Sequence, residues 1–225
     1  MPSRFAAPFV LLVLCLVSLP QAPAQSGGVP RIYHDQSMGI TYFYPQRFTP
    51  EQFTPAKLDS TQACVKSGLA GSSATPVGTS AFVVSSIGST CPKVLQSAAA
   101  NLDSFTREQV LRQLKRYGKP EVTRDATHYT IDGHPASITI AAVRHPAAVD
   151  VNSVAPPKMT YAAKACMLGE VPDKHSKASI AEQTKQIVCF DFTTAEKDLL
   201  PEMLAFTVQF DGGSLEPLVP GGILH

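Results

Sequence analysis

Apolar and polar residues alternate with a period of two along several stretches of this chain, the mark of strands that bury one face. Ile32-Tyr33-His34 and Gly39 to Tyr44 read as two short strands around a turn at Asp35-Gln36-Ser37, with Pro45 ending the second. Ser80 to Ile87 is a third strand. Val122 to Ile131 and His134 to Val143 flank Asp132-Gly133, a strong hairpin-turn signal, and Ile138, Ile140 and Ala142 line one face. Met159 to Leu168 and Lys185 to Phe192 are two more strands, the last with Val188, Phe190 and Phe192 on its apolar face. Val208 and Phe210 add a short one. Two long connections separate the later strands: the Ala/Pro/Val-rich Pro146 to Pro157 and the polar Gly169 to Thr184.

A period near 3.6 appears after Phe105. Val110, Leu111, Leu114 and Tyr117 recur at helical spacing. Thr106 suits the N-cap, Gln109 stands three residues on, and Phe105 is placed to staple onto Val110. Gly118 and Pro120 close the helix. A further helix is expected from Thr54-Pro55, carrying Leu58, Cys64, Val65 and Leu69, before a flexible loop over Gly68 to Pro76. Thr193-Thr194-Ala195-Glu196 resembles a capping box for a last helix through Leu204, limited by Pro201. Residues 211–225 read as a loose tail. Adjacent strands joined by hairpins give an α+β fold: a mainly antiparallel β-sheet packed against helices, one domain over residues 25–210.

Upstream of that pattern, Arg4 is the only charge before Arg31, Phe9 to Leu19 is an apolar run, and Ala22-Pro23-Ala24 supplies small exit residues. Residues 1–24 therefore read as a cleavable signal peptide, with the mature chain starting at Gln25. The run is well short of the ~20 residues that span a bilayer, and no later segment of the sequence is long and apolar enough. The expected location is exported, periplasmic or extracellular.

The chain holds 19 basic and 18 acidic residues, so loss of Arg4 leaves the mature part formally neutral. Neutrality argues against nucleic acid as a partner, because that affinity rests on many phosphate-neutralising cations. Four of the five cysteines, Cys64, Cys91, Cys166 and Cys189, remain after cleavage, and an even number in an exported chain favours disulfides. Cys189 lies opposite the Val188/Phe190/Phe192 face together with Asp191, and Cys166 shares a face with Lys164. If the two strands are neighbours, both thiols point to the more polar side of one sheet. The expected pairs are Cys166–Cys189 and, by elimination, Cys64–Cys91, each contributing about 3 kcal/mol.

Three short patches resemble PsbP-like domains. They are Gly39-Ile40-Thr41-Tyr42-Phe43-Tyr44-Pro45-x-x-Phe48, the hairpin Ile131-Asp132-Gly133-His134-Pro135-Ala136, and a closing helix that leads into Phe206-x-x-x-Phe210. The order of elements extends the likeness over roughly residues 31–210, whereas the Cys64 to Cys91 segment and the basic helix at 107–119 depart from it. The resemblance implies an αβα sandwich, an antiparallel sheet between helices, in a family of mostly non-enzymatic accessory proteins.

Motifs for catalysis are lacking: the sequence has no Gly-x-Ser-x-Gly elbow, His-Glu-x-x-His or phosphate-cradling loop. It has no Cys-x-x-Cys pair for zinc. With Ile131 opposite His134, His128 would face Ser137 and His145 would fall near Pro120, so these histidines would not meet across the hairpin. No metal or cofactor is expected. Tyr33, Tyr42, Phe43, Tyr44 and Phe48 form an aromatic patch that suits core packing, or else a ligand groove. Arg112, Lys115, Arg116 and Lys119 share one helix face opposite the apolar stripe. That face is either simply solvated or the site of an anionic partner, such as a phospholipid head group or an acidic protein. The reading is an exported, non-enzymatic accessory or binding domain for a protein or envelope component. The alternative is an exported hydrolase whose site is assembled from residues distant in sequence.

Overall fold

The computed structural model of the chain describes residues 29–52, 65–76, 78–88, 91–145, 158–172 and 183–221. Residues 1–24, expected as a signal peptide, lie outside them, as does Cys64. Period-two alternation produces the main sheet, which is antiparallel throughout and ordered β3-β4-β5-β9-β8-β7-β6. Its strands are β3 (Thr49–Gln52), β4 (Val65–Thr75), β5 (Gly78–Ile87), β6 (Pro120–Ile131), β7 (His134–Arg144), β8 (Met159–Pro172) and β9 (Gln183–Thr194). A second antiparallel sheet joins β1 (Arg31–Asp35), β2 (Ile40–Tyr44), β10 (Thr207–Phe210) and β11 (Glu216–Pro217) in the order β1-β2-β10-β11.

The two faces of the main sheet meet different covers. Alternate residues Phe82, Ile138, Ala165, Phe190 and Phe192 join Ile40, Tyr42, Val208 and Phe210 of the small sheet in the principal core. The intervening residues Ala141, Val143 and Ala162 pack under Val110 and Leu114, while Cys166, Ile187 and Cys189 pack with Ala98. These last come from α1 (Pro92–Ala100) and α2 (Leu102–Leu114). The fold is thus α+β, with a mainly antiparallel sheet packed against helices. The face away from α1 and α2 is closed by the second sheet and by the short α3 (Leu200–Met203) rather than by long helices.

Cys166 and Cys189 stand directly opposite each other on β8 and β9 and form a disulfide. Both are buried, so the side expected to be polar is the one that the helices cover. Cys91, which precedes α1, is disulfide-bonded too; its expected partner, Cys64, lies outside the described residues. Cys166–Cys189 closes a loop of sequence separation 23. Loop-closure entropy for that length is worth about 3 kcal/mol. A Cys166→Ala/Cys189→Ala variant is expected to lower the urea midpoint by the equivalent of about 2–4 kcal/mol; an unchanged midpoint would show that the bridge adds no stability.

Several expectations are corrected. Val65 to Thr75 is strand, neither the end of a helix nor a flexible loop. Its Gly/Ser/Ala content has a packing cause: a Cβ at Gly71 would overlap the Phe82 ring of β5, so only glycine lets that ring reach the core. Asn101, rather than Thr106, caps α2, its side chain accepting a hydrogen bond from the Ser104 N–H at 2.9 Å. Thr106 is buried inside the helix and donates its hydroxyl to the Leu102 carbonyl at 2.8 Å. Phe105 packs beside the disulfide cluster, while Val110 packs in the neighbouring one. The unforeseen α1 does carry a signal, Pro92 in its first turn and an alanine run at its end. Thr194 stays in β9, accepting from the Glu196 N–H at 3.0 Å, so the last helix shrinks to α3.

The segment from Asp211 is not a loose tail as far as Gly221. Glu216 and Pro217 pair with β10, and Leu218 and Val219 are buried. The Tyr129 hydroxyl donates to the Leu218 carbonyl at 3.1 Å, and burial pushes that phenol well above its ordinary pKa. Glu216 also accepts from the Asp132 N–H at 2.9 Å, tying the hairpin turn to the small sheet. That turn has positive φ at both Asp132 and Gly133, as its Asp-Gly sequence demands.

Candidate functional site

The hairpin register starts as expected, with Ile131 opposite His134 and Tyr129 opposite Ala136. Two irregularities then shift it, between Ala126 and Tyr129 and between Val122 and Arg124. His128 sits in the first, with positive φ, and does not face Ser137; Pro120 pairs with Val143, two residues short of His145. A bulge adds residues to one strand without adding any to its partner, so pairing inferred from the turn alone drifts.

The second irregularity has a chemical result. Glu121 and Arg124 are three apart, which on a regular strand means opposite faces. Here they pair with Ala142 and Ile140, which share a face, so both side chains belong to one side of the sheet. That side holds a cavity of about 640 Å³ between the β6–β7–β8 surface and the chain that enters α3. Ile140, Ala142, Met159 and Tyr161 form its floor, and Leu200, Pro201 and Leu204 its wall. Lys119, Arg124, Arg144 and Lys197 stand around it, with Glu121 as the single carboxylate among the described residues. All five charged residues are exposed. Among the described residues, Lys119, Arg144 and Lys197 form no ion pair.

The expected basic face lies next to this groove. Arg112, Lys115 and Lys119 border a shallow depression with Leu111, Gly118 and Pro120, and Glu108 adds one acidic group. Lys119 belongs to both features, joining depression and groove into one cationic surface. Arg116 parts from the other three and lies over the Tyr117 ring, 4.7 Å from its centroid. The cause is local: α2 gives way to a 3-10 turn at Lys115–Tyr117. Three residues per turn instead of 3.6 rotate successive side chains further apart, so helical spacing no longer aligns them.

The aromatic and histidine candidates find their places. Tyr42, Tyr44 and Phe48 are core residues and Tyr33 and Phe43 are half-buried, so the aromatic patch is packing rather than a groove. His34 contacts Thr41, His134 stacks on Phe210, and His145 bonds Thr160 at 2.7 Å. No group of three or more His, Cys, Asp or Glu placed to hold a metal occurs among the described residues. Among those residues, no helix is long and apolar enough to cross a membrane.

Arg124, Arg144, Lys197 and the groove floor escaped sequence reasoning. They come from β6, β7, β8 and the chain around α3, and no spacing rule links them. Among the described residues, the groove lining contains no His, Ser, Asp or Cys. Those residues offer charge and apolar area. Compared with known proteins, the chain matches no family model and no curated protein.

Proposed function

We propose that this protein is an exported, non-enzymatic accessory domain that binds an anionic lipid of the cell envelope through the cationic surface at the end of α2. The observation that carries the reading is continuity: Arg112, Lys115 and Lys119 run into a groove ringed by further cations, although the mature chain is formally neutral. Charge gathered around one edge of a neutral protein, here the β6 edge of the main sheet, attracts a negatively charged surface without making the whole molecule sticky. The Cys166–Cys189 disulfide fits an oxidising compartment. The PsbP-like resemblance, with its mostly non-enzymatic members, agrees with a binding role.

The test is co-sedimentation with phosphatidylglycerol-containing vesicles against pure phosphatidylcholine vesicles. Each Lys or Arg near an anionic surface contributes about 1 kcal/mol. Arg112→Glu/Lys115→Glu is therefore expected to weaken binding by about thirtyfold or more, and raising salt to weaken it in the parent protein. Equal binding to both vesicle types would overturn the reading.

A further inference from the structure

We propose that the groove between β6–β7–β8 and α3 holds the acyl chain of a long-chain carboxylate, a fatty acid whose head group lies among the rim cations. The inference rests on the anionic-lipid reading above and assigns the groove a ligand that can leave the membrane. Its volume of about 640 Å³ is that of a small-molecule site. Its floor and wall offer Ile140, Ala142, Met159, Leu200 and Leu204, side chains that reward apolar contact. The Thr123 hydroxyl beside them is already committed to the Ile140 carbonyl at 3.1 Å. Tyr161 adds one ring hydroxyl to the floor, too few partners for the several hydroxyls of a polar ligand such as a sugar, which would lose water without compensation.

The perimeter selects the other end of the ligand. Among the described residues, Lys119, Arg144 and Lys197 outnumber Glu121 even with Arg124 set aside, so the rim favours an anion over a neutral head group. Apolar floor and cationic rim together match an amphipathic anion. The site's small-molecule size fits one chain rather than the two of a phospholipid. The groove thus complements the neighbouring depression: one takes up a chain, the other meets the membrane surface.

Isothermal titration of the purified protein with dodecanoate, tetradecanoate and tetradecanol, all below their aggregation concentrations, tests the assignment. One carboxylate per protein is expected, with affinity rising up to about fifteenfold from dodecanoate to tetradecanoate. Tetradecanol is expected to bind at least tenfold more weakly than tetradecanoate. Ala142→Phe, which fills the floor, and Arg144→Glu/Lys197→Glu, which reverses two exposed rim charges, are each expected to weaken tetradecanoate at least tenfold. The rim variant should keep the parent's melting temperature. Arg112→Glu/Lys115→Glu lies outside the groove and should bind tetradecanoate as the parent does while losing vesicles. Equal affinity for tetradecanol, or parent-like binding by both groove variants, overturns the proposal. Vesicle binding with no fatty-acid binding overturns the groove alone, and fatty-acid binding with no vesicle binding overturns the surface reading alone.

Discussion

Phe206→Ala is expected to lower the stability of this protein by about 3–5 kcal/mol, the usual result of removing a buried aromatic ring. Phe206 is almost fully buried where the two sheets meet. Its ring centroid lies 5.1 Å from that of Phe82, 5.2 Å from Phe192 and 5.8 Å from Phe190, all on the main sheet. It lies 6.0 Å from Tyr44 and 6.5 Å from Tyr42 on the small sheet. One side chain therefore joins both layers, and alanine leaves a cavity whose walls cannot collapse without moving a sheet. A domain of this size has about 5–15 kcal/mol in total, so a melting temperature lower by on the order of 10 °C is expected. Phe206→Leu, which refills part of the space, should lose distinctly less. Thermal melts of the two variants check this; a loss under about 1 kcal/mol for alanine would mean that the layers close without the ring.

Lys164→Met is the second large effect. Lys164 and Asp191 stand opposite each other on β8 and β9, with the Nζ to Oδ1 distance 2.6 Å. Their side chains are 12% and 18% exposed, on the face that α2 covers. Removing the cation strands a carboxylate with little access to water, which costs about 3–5 kcal/mol. Replacing both partners removes that penalty, so Lys164→Met/Asp191→Leu should recover most of the loss. Urea midpoints of the parent, both single variants and the double variant form the cycle that isolates the pair. If Lys164→Met costs no more than a surface pair, under about 1 kcal/mol, water reaches the site and the argument fails. The position was readable in advance, since alternation alone placed Lys164 with Cys166 and Asp191 with Cys189. That the face would be covered was not, because nothing local to either strand says where α2 will lie.

The same division runs through the fold. The hairpin at Asp132-Gly133 was legible because two residues must take positive φ and their identity permits it. The α2 stripe was legible because Val110 and Leu114 repeat at helical spacing. Strand β4 was not, since Leu69 is the one large side chain between Gly68 and Ala74, and a single apolar position reports no period. Its extended form follows from pairing with β3 and β5 and from the room that Phe82 needs. The stretch after Asp211 looked loose because its composition is that of a turn, yet partners far away in sequence bury Leu218 and Val219.

The candidate site divides in the same way. By itself the sequence determined the hairpin turn, the helix stripe, the facing positions of Cys166 and Cys189, and a cluster of basic residues at the end of α2. Each depends on spacing within one element, or on alternation carried across neighbouring strands. Only the tertiary structure decided that Lys119 also borders a groove, that Arg116 turns away, and that Glu121 and Arg124 share a face. The first and third depend on the approach of α3 to the sheet and on a bulge in β6, which arise from contacts between segments that no period along the chain connects, and the second on a 3-10 turn that breaks the helical period.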